Sequence, residues 1–407
     1  MHNRQLSDWK KKTIFFLISQ CITLFGSTLV QMAIIWYVTM QTSSGTWVAA
    51  FTVCSYLPQF LISFVGGVWA DRYNRKKLII GADMVIAAVT LIMMLAIPYI
   101  SATLFLLDGL LIMSIIRSLG AGIQTPAVNA VIPQLVPKEQ LMRYNGINAA
   151  MQSIVQFAAP AAAGIIFSIS TLESTMMVDV STAAIGIGIL SSVLIPKQNV
   201  QRKKVSIFTD MKLGIHYAFS DRIIGKLLIV YGAFTFLTVP AGFLAGLLVC
   251  RIYGDTYWYL TVVELIGFAG MTLGGLIISM WGDCVSRVKI LFVSLTAYGI
   301  FAMGMGIARN FILYLILMLS YGIAMTIVQT SITTLLQEKT EIPMQGRIFG
   351  LLGSMYSGFL PIGMGVFGPL ADVIPLQWLM TGAGIALIFI ALIVRYDCHF
   401  LDMQIVS

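Results

Sequence analysis

The stretch Gly66-Gly67-Val68-Trp69-Ala70-Asp71-Arg72-Tyr73-Asn74-Arg75-Lys76-Lys77 closes one apolar run, over about 46–70, and opens another, over about 78–98. Each run is long enough to cross the hydrocarbon of a bilayer, which takes about 20 residues in a helix. Between them the chain turns on a few polar residues, four of them basic. Two spanning helices joined by a tight basic connection is the arrangement this stretch dictates, and bases so placed mark the cytoplasmic side.

The same pattern repeats outward in both directions. Apolar runs lie at about 13–40, 46–70, 78–98, 102–124, 145–168 and 175–196, and then at about 223–249, 256–281, 288–308, 311–336, 347–370 and 376–396. The sequence therefore predicts twelve spans in two sets of six. Residues 1–196 form a first bundle and 223–407 a second. Between them 197–222 is a cytoplasmic linker holding Arg202, Lys203 and Lys204, then an amphipathic stretch with Ile207, Phe208, Met211, Ile215 and Phe219. Such a stretch can lie along a membrane surface. The first run, preceded by Lys10, Lys11 and Lys12, is too long for a signal-peptide core and reads as a retained span.

Composition agrees. Of the 407 residues 58% are apolar and 10% charged, against about 25% charged in an ordinary soluble domain. These figures exclude a soluble enzyme, a nucleic-acid-binding domain and a disordered chain. The net charge of +8 is therefore no sign of a nucleic-acid partner. With both termini in the cytoplasm, all of the 25 Lys and Arg residues fall on the cytoplasmic side except Arg117, Arg251 and Arg309. The five cysteines and three histidines show no metal-ligand spacing. No Gly-x4-Gly-Lys-Ser/Thr loop is present, so ATP is not the expected energy source.

The two halves echo each other. Gln124-Thr125 and Gln329-Thr330 are 205 residues apart; Arg143 and Arg347 follow them by 19 and 18 residues. Gly66-Gly67 before Asp71, Arg75 and Lys77 is matched by Gly274-Gly275 before Asp283, Arg287 and Lys289. A duplicated six-helix unit is a transporter architecture, with the substrate site near the midplane between the repeats.

The stretch from Gly67 to Lys77 also resembles the loop signature of the major facilitator superfamily, with Trp69 in place of the usual Leu and Asn74 in place of the second Gly. Asn tolerates positive φ, so the turn is expected to survive. Arg117-Ser118-Leu119-Gly120-Ala121-Gly122 is similar to the superfamily's span-4 arginine motif, and Ala159-Pro160 with Gly164 is a degenerate likeness of its antiporter motif. Over nearly its whole length, including Gln31 to Ile35, Asp71 to Ala88, Ile116 to Ser118, Thr125 to Val131 and Gln337 to Lys339, the chain resembles bacterial macrolide efflux proteins of the drug:proton antiporter group. The resemblance implies the all-α major facilitator fold, twelve helices in two pseudo-symmetric bundles. It also implies export of small hydrophobic compounds, cationic or macrolide-like among them, in exchange for protons, by a single chain in the bacterial cytoplasmic membrane. No cofactor is implied beyond the proton gradient. Proton-coupled nutrient import, siderophore export, lipid flipping and a non-transporting sensor are the rival readings.

Ionisable residues within spans are costly and so are functional candidates. Glu264 is the leading proton-coupling candidate, because apolar surroundings favour the neutral form of a carboxyl. Arg117 is expected to face a cavity or pair with an acid, with Asp83 as the candidate partner; both join the coupling set. Asp108, nine residues before Arg117, is half a helical revolution out of phase with it; it is a second protonation site or an interfacial acid. Asp179 reads as structural, near enough to a span end to snorkel. Gln20, Gln31, Gln124 and Gln329, with Phe25, are the candidate substrate contacts. The superfamily suggests that Gly67, Asp71, Arg72 and Arg75 form a cytoplasmic latch, in which a carboxylate near a helix start is stabilised by the dipole.

Overall fold

A computed structural model of the chain describes residues 2–100, 102–137, 140–195, 215–254, 256–281 and 286–396. Among these residues all regular structure is helical, and twelve helices are long and apolar enough to cross a membrane. The first six are α1 (His2–Thr42), α2 (Gly45–Arg72), α3 (Arg75–Ala96), α4 (Thr103–Leu135), α5 (Leu141–Ile169) and α6 (Leu172–Ser192). The seventh span, α7, is built in three pieces: Arg222–Leu237, Val239–Gly242 and Ala245–Ile252. Then follow α8 (Tyr257–Trp281), α9 (Arg287–Ile307), α10 (Phe311–Lys339), α11 (Ile342–Val373) and α12 (Leu376–Tyr396). Most of the expected linker lies outside the described residues. Its end forms a short helix over 215–220, on which Ile215 and Phe219 are exposed.

Helix α4 runs eleven residues beyond its predicted end at 124, through Pro126 and Pro133. Proline removes one intrahelical bond and kinks a helix, but neighbouring helices in a membrane re-satisfy the freed groups. Helix α1 likewise begins well before its apolar run, because the polar residues after His2 continue the helix.

By its internal contacts the chain divides into two compact units. One comprises residues 1–41 and 50–202, the other 42–49 and 203–407. The segment 42–49, which ends α1 and opens α2, thus groups with the later helices. In the first unit a buried core of Phe16, Ile79, Val131, Ile132, Leu135 and Leu190 joins α1, α3, α4 and α6 at the end that carries the α2–α3 connection.

Both units contain a helix crossing that depends on glycine. A β-carbon at Gly66 of α2 would lie 2.5 Å from the Gly122 carbonyl oxygen of α4. In the second unit one at Gly274 of α8 would lie 2.6 Å from the Ile323 carbonyl oxygen of α10. Such approach of backbones, rather than hydrophobic exclusion, drives helix pairing in lipid. The neighbouring Gly67, picked out by the loop signature, is not at the crossing: a β-carbon there meets nothing within 4 Å.

The α2–α3 connection is built differently from expectation at Asn74. Its φ is −66°, not positive, and its side chain caps α3 by accepting from the Lys77 backbone N–H at 3.3 Å. Asparagine is among the best N-caps, and that role, not left-handed backbone, accounts for it here. Arg75 is buried and donates to the Ala70 and Ala130 carbonyls at 2.8 and 2.6 Å, tying α2 to α4. Lys76 donates to the Ser191 and Val193 carbonyls at the end of α6, where a cation complements the helix dipole. Arg72 is exposed, and the side chain of Asp71 lies outside those described.

Candidate functional site

Three helices of the first unit bring polar side chains, and a fourth a backbone carbonyl, to one place inside the span region. Arg117 of α4 is buried and forms an ion pair with Asp179 of α6, whose side chain is 2% exposed. The same guanidinium donates to Thr90 of α3, and its second nitrogen points to the Ser27 carbonyl of α1 at 3.4 Å. Thr90 in turn lies 3.2 Å from the Asp179 carboxylate. Gly26 lets α1 come up to this pair: a β-carbon there would meet Asp179 and Thr182. This arrangement corrects two sequence expectations. The partner of Arg117 is Asp179, not Asp83, and Asp179 does not snorkel. Direct neutralisation of a buried guanidinium is the reason, since an uncompensated charge here is costly.

Asp83 of α3 is 4% exposed. One carboxyl oxygen accepts from Gln124 Nε2 of α4 at 2.6 Å; the other is buried with no partner among the described residues. Gln124, expected to touch substrate, thus spends its donor on a neighbouring carboxyl. Asp83 and Thr90 are seven residues apart on α3, as are Arg117 and Gln124 on α4. Seven residues make about two turns, so Asp83–Gln124 and Thr90–Arg117 are successive rungs of one antiparallel helix pair. Asp108 is exposed on α4 and takes no part.

Next to Arg117, Ser118 is buried and joins α4 to α2. Its hydroxyl accepts from the Gln59 N–H and donates to the Ser55 carbonyl, each at 2.8 Å. The sequence reading did not single out Ser118. Pro58, immediately before Gln59, was the signal that α2 would need such a partner.

In the second unit Glu264 of α8 is half-buried, makes no hydrogen bond among the described residues and lies within electrostatic reach of Tyr314 of α10. In the same unit α9 and α10 carry buried tyrosines. The Tyr298 hydroxyl donates to that of Tyr321, Phe234 stacks edge-on against Tyr298 with ring centroids 4.9 Å apart, and the Tyr314 hydroxyl is buried without a partner among the described residues. Of the other expected contacts, Gln20 is buried and donates to Ser19 at 3.2 Å, while Gln31, Phe25 and Gln329 are half-buried.

A third polar cluster, at the α1–α2 connection, was not foreseen. The Asp372 carboxylate of α11 accepts from the Gly45 and Thr46 N–H groups at 2.6 and 2.9 Å and from the Ser44 hydroxyl at 2.7 Å. Arg251, at the end of α7, donates to Asp372 at 2.8 Å and to the carbonyls of Ser43 and Ala371. Asp372 therefore caps the N-terminus of α2 from a helix more than three hundred residues away.

Twelve candidate spans among the described residues, a buried Arg–Asp ion pair and helix crossings that depend on glycine describe a multi-pass membrane protein. Residues 16–359 match the Major Facilitator Superfamily, and the chain belongs to it. It is 29% identical to macrolide efflux protein A of Streptococcus pyogenes over 391 residues, which cover 95% of this chain and 96% of that protein. It is also 29% identical to macrolide efflux protein A of Enterococcus faecalis, over 78% of this chain and 98% of that one. Among solved structures, a bacterial homologue of the iron transporter ferroportin in an inward-facing state superposes with a TM-score of 0.77 at 14% identity, over 95% of this chain and 99% of that one. At that identity the likeness is one of fold.

Proposed function

We propose that this transporter exports small hydrophobic compounds, macrolides among them, from the bacterial cytoplasm in exchange for protons. What carries the reading is the likeness to macrolide efflux protein A across almost the full length of both chains. Glu264, a carboxyl held inside the span region, is the group through which a proton gradient acts, because a carboxyl there changes charge at a large difference in solvation energy. Glu264 takes the proton or the cationic group of the compound. Gln20, Gln31, Phe25 and Gln329 line the path, and the residues Gly67, Asp71, Arg72 and Arg75 hold one access state on the cytoplasmic side. The protein works as a single chain in the cytoplasmic membrane, and needs no cofactor.

The test is drug susceptibility in cells with and without the chain. Cells carrying it tolerate more erythromycin, and an uncoupler abolishes uptake of the drug into everted vesicles. In the Glu264→Gln variant, expressed to the same level, resistance is lost. Uptake into everted vesicles that survives the uncoupler would overturn proton exchange, and unchanged resistance in the variant would remove Glu264 from the coupling path.

A further inference from the structure

We propose that Asp83 is a proton-binding carboxyl of the first unit, held neutral beside the Arg117–Asp179 ion pair; this deepens the proton-exchange reading and rests on it. The argument is one of charge and of hydrogen bonds. The rungs that join α3 to α4 hold one cation, Arg117, and the adjoining acids are two, Asp179 from α6 and Asp83 from α3. Arg117 is bound to Asp179, which is all but inaccessible, so its charge is matched. Asp83 then faces the neutral Gln124 amide on α4. Lys76, on the same helix, is engaged with the carbonyls that end α6. No cation remains for Asp83 among these groups.

An ionised Asp83 would put a net negative charge in the cluster with one oxygen buried and bare. Buried charges without a partner are among the most costly features a protein can hold. Carrying a proton removes the charge, leaves Oδ1 accepting from Gln124 and makes the bare Oδ2 a hydroxyl. The reversible step is simple: the carboxylate takes H⁺ from water reaching it from one side of the membrane and returns it to the other, with no bond made or broken in the transported compound. Asp83 lies eight residues, about 12 Å of helix rise, from Arg75 at the start of α3, which gives it a midspan depth. The two-turn spacing from Thr90 sets it apart from the ion pair, so protonation at Asp83 need not break Arg117 from Asp179.

The experiment uses the full-length protein. Infrared difference spectra taken while the pH is changed show a protonated-carboxyl band in the wild type that is lost in Asp83→Asn and kept in Asp108→Asn. In liposomes, Asp83→Asn loses erythromycin accumulation driven by an imposed pH gradient, yet keeps exchange of labelled for unlabelled erythromycin, which needs no net proton movement. An unchanged band, or undiminished gradient-driven accumulation in Asp83→Asn, overturns the proposal. If the wild type itself ignores the pH gradient while the Asp83-dependent band is present, the export reading fails and the proton site stands. Asp83→Glu, which restores a carboxyl, brings back the band and so separates loss of the proton from loss of the fold.

Discussion

Ser118 shows how much one hydroxyl decides inside a membrane. Proline at 58 gives α2 no N–H at that position, and proline inside a helix favours a bend that weakens the pairing of the Gln59 N–H with the Ser55 carbonyl. The Ser118 oxygen fills the gap, accepting from one group and donating to the other. Without it both backbone groups would lack partners where water is scarce. We therefore expect Ser118→Ala to lower stability by about 0.5–1.5 kcal/mol, the range of interhelical hydrogen bonds in membranes, while Ser118→Thr keeps most of it. Thermal melts in detergent measure this. The decisive comparison is with Pro58→Ala, which restores the N–H and lets Gln59 pair within α2. In that background the penalty of Ser118→Ala should shrink. Equal penalties in both backgrounds would mean that Ser118 does not act through the bend.

At the scale of the element, the first turn of α2 has a long local cap, the Ser44 hydroxyl accepting from the Trp47 N–H at 3.4 Å, and Asp372 adds a second and shorter set of contacts from α11. Two backbone N–H groups and the Ser44 hydroxyl converge on that carboxylate. A capping carboxylate is also favoured by the helix dipole. Replacing it with Ala should cost about 1 kcal/mol, as loss of a cap does, and Arg251→Ala should cost less because the pair is partly exposed. Melting curves of the two single variants and the double variant would show the coupling; strictly additive losses would mean that the two side chains act separately. This cluster also shows where sequence reading stops. Span positions and the tight basic connection are written in runs of apolar residues and in the placement of Lys and Arg, so the helices and their number are legible. The Arg117–Asp179 pair, the Gln124 contact to Asp83 and the Asp372 cap each join residues that are 41 or more apart, and nothing in local periodicity reports which faces meet. Arg117 reads from sequence as a buried cation in want of an acid. Which acid answers it depends on the α4–α6 packing, and Asp179 is set there by the approach of α1 at Gly26.

At the scale of the whole molecule, charge placement sets how the chain enters the membrane. With cytoplasmic termini, Arg117, Arg251 and Arg309 are the exceptions among 25 basic residues. Two of the three are answered by acids: Arg117 by Asp179 and Arg251 by Asp372. Only Arg309, exposed at the α9–α10 connection, stands as a cation to be translocated without an ion pair among the described residues. Orientation responds to Lys and Arg near span ends, with little contribution from acids, so the excess on the other side should prevail whether or not the pairs form. A fluorescent protein fused after residue 396 should therefore fold and fluoresce in the cytoplasm, and alkaline phosphatase fused after Arg309 should be active outside while the same enzyme fused within 197–222 is not. Neutralising Asp372 in these fusions frees the Arg251 charge without moving any base, and the reporters should not change. Phosphatase activity from the 197–222 fusion would invert the orientation and, with it, the direction of proton flow on which export depends.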